Sequence, residues 1–146
     1  MNQSSTRAVP QWFWIAAALG LAWNVFGVFQ FLTTVGATAE TLVRGGMTAS
    51  QAAFYVTLPT WLHVVFAVGV FAGALGCVLL LLRRRWSVTV FAISLLAYIA
   101  LFLGDALLGV FTVLGMPQVI VLTLVVVIAG ALLWLARRFD RAGLLR

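Results

Sequence analysis

The sequence predicts an all-α, integral membrane four-helix bundle with both chain ends on one side, and three observations carry that prediction. Hydrophobic residues make up 64% of the 146 and charged ones only 8%, which is too apolar for a soluble domain. Four apolar stretches each approach the roughly 20 residues that a helix, rising about 1.5 Å per residue, needs to cross about 30 Å of hydrocarbon. All nine basic residues are arginines, and they collect at alternate exits from those stretches: Arg7, Arg83, Arg84, Arg85, Arg137, Arg138, Arg141 and Arg146 on one side, Arg44 alone on the other. The positive-inside rule makes the crowded side cytoplasmic and gives the chain a single orientation.

The first crossing, 12–34, opens on Trp12 and Trp14 after a short polar lead. Ala37, Thr38 and Ala39 resemble a signal-peptidase site, but the apolar run before them exceeds the roughly 7–15 residues of a signal core, so a retained helix is expected. Asn2, Gln3 and Ser4 spell a glycosylation acceptor on the side where none is used. Residues 35–59 form one long outer loop. Within it Gly45 and Gly46 break any extension of the first helix, and Thr48 followed by Gln51 spells a capping box, predicting a short surface helix through Tyr55. That helix is read as a packed connector, with a lid as the alternative.

The second crossing, 60–82, follows Pro59, has Trp61 and Tyr55 at headgroup level, and stops at Arg83, Arg84 and Arg85. Gly69, Gly73 and Gly76 fall at i, i+4 and i+7 and form a seam that lets another backbone approach. Packing within one subunit is the expected use, with a dimer contact as the alternative. A very short turn makes the third crossing, 86–108, an antiparallel neighbour of the second. The crossing is expected to end near Gly104 and Asp105, with 109–116 continuing the helix or folding back as an apolar cap. The fourth crossing, 118–136, starts at Pro117, suited to a first helical turn, and residues 137–146 form a basic cytoplasmic tail.

Depth along these helices gathers the polar residues. His63 stands twenty residues before Arg83, and Asp105 twenty after Arg85, so both lie about 30 Å from the inner face. Gln30 and Gln118 reach nearly the same height, giving one polar side chain per crossing in a single outer layer. On the third crossing Ser87, Ser94, Tyr98 and Asp105 fall within about 20° of one direction at 100° per residue, a polar stripe that implies an inward-looking face. Asn24, near the bilayer centre, shares a face with Gly20 and Gly27 and is expected to bond across helices. The candidate binding residues are therefore His63, Asp105, Tyr98, Ser94, Gln30, Asn24 and Gln118. Ionisable groups near hydrocarbon are expensive and are functional candidates by default, so a pH-sensitive His63–Asp105 pair in an outward-facing pocket is expected.

Composition also excludes. One His leaves no bis-histidine haem, the single Cys77 no disulfide relay, and no acidic cluster suits a di-metal centre; the chain is read as a non-enzyme without a cofactor or metal. Arginines at membrane exits lack the interleaved polar surface of a nucleic-acid groove, so anionic lipid headgroups are the expected partner.

The stretches WFWIAAALGLAWNVFGV, LPTWLHVVFAVGVFAGALGCVLLLLRRRW and MPQVIVLTLVVVIAGALLWLARRFDRAGLLR together resemble a family of small bacterial four-helix membrane proteins labelled sugar transporters. That resemblance covers most of the chain and is most specific at Trp23–Asn24, the LP-x-W run, the Gly73 to Gly76 stretch and the basic tail. It implies transport at a bacterial inner membrane. Four helices are few for a solute path, so a carrier is expected to form a parallel homodimer. The competing expectation is an accessory or assembly subunit of a larger membrane complex.

Overall fold

A computed structural model describes residues 8–146, leaving Arg7 and the Asn2–Gln3–Ser4 triplet outside the described residues. The chain folds as α1 (Gln11–Thr34), α2 (Ala39–Arg44), α3 (Ala49–Tyr55), α4 (Thr60–Leu81), α5 (Trp86–Leu107), α6 (Val110–Leu114) and α7 (Met116–Arg141). Helices α1, α4, α5 and α7 are long and apolar enough to cross a membrane, and no strand occurs among the described residues. The protein is a small, multi-pass, all-α membrane protein.

Packing follows side-chain size. Helix α4 lies between α1 and α5, and α5 packs in turn on α7. The close α4 contacts depend on its glycines, because a side chain has taken the space beside each one. Tyr98 lies over Gly69, Asn24 and Ser94 over Gly73, and Phe91 over Gly76. The seam is thus used inside one subunit. On α5, Ser87, Ser94, Tyr98 and Asp105 are all buried, as the stripe on one face requires.

The arginine-rich end, inner by the positive-inside rule, is the closed end of the bundle. Phe13 and Phe139 bring α1 and α7 together with ring centroids 4.4 Å apart, and Trp12 meets Phe139 at 5.3 Å. Arg83 takes a left-handed backbone (φ 57°) in the α4–α5 turn. The C-terminal residues hold that turn: Arg85 N donates to Arg146 O at 2.9 Å, and Arg83 Nε donates to Leu144 O at 2.9 Å.

Two boundaries differ from expectation, and one open alternative is decided. The first difference is that the outer loop holds a second short helix, α2, whose N-terminus Thr38 caps by accepting from Thr41 N at 3.3 Å. Of the two courses expected for 109–116 the chain takes the second: α5 ends at Leu107, as the 86–108 crossing requires, and Gly109 (φ 75°) reverses the chain so that 110–114 folds back as the cap α6. Finally, α7 continues helically through Arg141, and the tail beyond turns inward to bury Leu145. Arginine is a good helix former and its charge suits a helix C-terminus, so nothing in 137–141 stops the helix.

The capping box at α3 is complete: Gln51 N donates to Thr48 Oγ1 at 3.2 Å and Thr48 N to Gln51 Oε1 at 3.1 Å. Thr48→Ala should weaken α3 by about 1 kcal/mol. Hydrogen exchange across 49–55 should rise roughly fivefold, while α4 is unaffected; unchanged exchange would show the cap to be irrelevant.

Candidate functional site

Away from the arginine end, α1 and α7 diverge, and a cavity of about 260 Å³ opens between them. Its lower walls are apolar: Phe26 on α1, Phe66 and Val70 on α4, Leu101 on α5, Val121 and Val125 on α7. The upper part carries Gln30, Thr34, Tyr55, His63, Asp105 and Gln118. The predicted outer layer therefore converges, one residue from each spanning helix, around a shared space.

Asp105 is the deepest charge there, 4% exposed. Gln118 Nε2 donates to its Oδ2 at 3.0 Å. The expected contact with His63 is not made: among the described residues the ion pairs are Arg44–Glu40 and Arg85–Asp140. His63 instead stands edge-on to Tyr55, centroids 5.9 Å apart. The carboxylate's side-chain partner comes instead from Gln118, on the first turn of α7.

Tyr55 was expected at the headgroups but turns into the cavity. Burial pushes its phenol above the ordinary range, the Thr34 side chain beside it pulls the other way, and the Asp105 carboxylate adds a further upward push. A phenol so placed stays neutral and able to donate at physiological pH. Above it the outer helices are tied together, Gln51 Nε2 donating to Val113 O at 3.3 Å, which joins α3 to α6 as the packed-connector reading expects. Both Tyr55 and the α3–α6 tie were missed by depth counting, which treats only spanning segments; the capping box was the signal that placed Tyr55 on an ordered helix.

Trp23 and Tyr98 form the floor, lining both this cavity and a tight crevice below that has no room for water. Asn24 and Ser94 belong to that lower layer and do not reach the cavity. Ser94 Oγ donates across helices to Gly69 O at 2.7 Å. Asn24 Nδ2 donates to Gly20 O of its own helix at 2.8 Å and makes only a long contact, 3.8 Å, to Cys77 Sγ on α4. The interhelical bond expected of Asn24 is thus a weak one, and its main partner is local. Ser87, lower still, has a buried hydroxyl without a partner among the described residues. Among the described residues no three His, Cys, Asp or Glu side chains converge as a metal site would need.

The fold and cavity define a small multi-pass membrane protein with a polar-ended cavity at the end away from the arginines. Comparison with protein-family models, with curated proteins and with solved structures found no match.

Proposed function

We propose that the protein is a carrier for a small solute in a bacterial inner membrane, held in a state whose cavity lies in the outer half and is shut toward the inner end, with Asp105, Gln118, His63, Gln30 and Tyr55 receiving the solute. The supporting observation is an asymmetry: a polar-ended cavity lies in the outer half, while aromatic packing of Phe13 on Phe139 shuts the inner half. A buried carboxylate with a single neutral hydrogen-bond partner is costly to stability, and holding it beside open space is what a binding site requires. Below the floor, the buried hydroxyls of Ser94 and Ser87 continue the stripe inward, a course that a rearrangement of Trp23 and Tyr98 would open. The resemblance to small four-helix proteins labelled sugar transporters points the same way. The arginine bias supports cytoplasmic ends and a parallel arrangement if two copies associate.

The second reading, an accessory subunit, draws on the diverging α1 and α7, whose crevice would take a helix of a larger complex. Purification in mild detergent followed by reconstitution separates the two. The carrier reading expects liposomes to take up at least one of glucose, glycerol or ethylammonium above protein-free controls, with an accompanying change of internal pH. No uptake of any of these, together with a stoichiometric co-purifying complex, would replace it with the accessory reading.

A further inference from the structure

The cavity's mouth faces sideways. Phe26 on α1 and Val121 on α7 line the cavity and are nevertheless 55% and 53% exposed, so they are wall and rim at once. Overhead, Met47, Leu58, Val110 and Leu114 roof the space, and the Gln51–Val113 bond fastens α3 to α6 above it. Below, Trp23 and Tyr98 close it. The opening left is the gap between α1 and α7, at a level where the outer surfaces of both helices are hydrocarbon-facing: Phe29 and Leu32 on one, Ile120 and Leu124 on the other are all exposed. A site roofed against water and open to lipid is loaded from the bilayer.

The lining also specifies charge. Asp105 is the one acid on the wall, and neither arginine nor lysine reaches it. Gln118 donates to Oδ2, leaving Oδ1 without a protein partner among the described residues. The volume, about 260 Å³, exceeds the roughly 150 Å³ that accommodates a benzene in an apolar cavity but does not hold a long chain. A head fits inside; a tail must leave through the mouth.

We propose that the protein takes a lipophilic primary amine from the outer leaflet, its ammonium seated at Asp105 and its chain passing between Phe26 and Val121 into the membrane. This rests on the cavity being a binding site, as the carrier reading requires, and adds the class of solute and the side from which it is loaded. The ammonium supplies the positive partner that the carboxylate lacks, in a setting where a charge-assisted hydrogen bond is strong. The chain keeps its apolar surroundings throughout, so loading needs no transfer through water.

The test uses the full chain in phosphatidylcholine nanodiscs, with empty nanodiscs as background, and radiolabelled dodecylammonium as probe. The wild type should show saturable binding above background and should prefer dodecylammonium to dodecanol. Asp105→Asn should weaken it by about ten- to hundredfold, the range for loss of one charge-assisted hydrogen bond. Val121→Trp, which narrows the mouth without touching the polar end, should slow dodecylammonium association by at least about tenfold and ethylammonium association less, because its short chain clears the narrowed gap. Equal binding of ethylammonium and dodecylammonium, with association of both indifferent to Val121→Trp, would overturn lateral loading and leave the polar site standing. Equal binding of dodecanol would overturn the preference for a cation. No saturable binding of either amine, with glucose and glycerol also inert, would remove the site itself.

Discussion

Gly73→Ala should destabilise the protein by about 3 kcal/mol, the upper end of what overpacking a tight core costs. A methyl group at this position would overlap Asn24 Oδ1 and press on Ser94 Oγ, 3.2 Å away. Neither side chain is free to retreat: Asn24 is bonded to Gly20 O and Ser94 to Gly69 O. The expected result is a large fall in the thermal midpoint of the detergent-solubilised protein. Gly130 on α7 is the control, because nothing lies within 4 Å of a methyl placed there, and Gly130→Ala should cause no loss. Removing the obstacle should also restore part of the stability. In a double-mutant cycle, Asn24→Ala with Gly73→Ala should cost less than the sum of the two by about 1–2 kcal/mol. Additive costs would mean that Asn24 and Gly73 do not share the space.

Asp105→Asn should abolish uptake and preserve the fold. Its amide oxygen can still accept from Gln118 Nε2, which now donates to Oδ2, so the first turn of α7 stays in place. What disappears is a carboxyl whose ionised form no cation offsets, and keeping such a form buried is costly, a cost the neutral amide does not carry. The thermal midpoint should therefore hold or rise while uptake of the responsive solute falls to that of protein-free liposomes. Full uptake by the variant would remove Asp105 from the site. A collapse of stability would show instead that its charge is structural.

The polar layer shows how far a linear reading reaches. Counting residues from the arginine turn places His63 and Asp105 at one height, and both do line one cavity with Gln30 and Gln118. Height, however, says nothing about azimuth. Asp105 bonds to Gln118 and not to His63, a choice among neighbours at one height that depends on the direction each side chain takes around the bundle. Asn24 and Ser94 carry the same polar signature as the cavity residues yet lie beneath Trp23 and Tyr98, bonded to glycine carbonyls. Tyr55 sits outside any spanning segment, so depth counting gave it only an interfacial place, whereas packing of the short outer helices turns its ring onto His63.

Four spanning helices, a glycine seam on the second of them and a stripe of buried polar groups on the third are properties of the chain alone, since bilayer thickness and the helical repeat convert residue number directly into length and face. Where α1 parts from α7, which side chain reaches the carboxylate and where the cavity opens were decided only in three dimensions. These depend on how side-chain volumes on different helices fit together, above all Phe13 against Phe139 at one end and Trp23 beside Tyr98 in the floor, and no periodicity within a single helix encodes that fit.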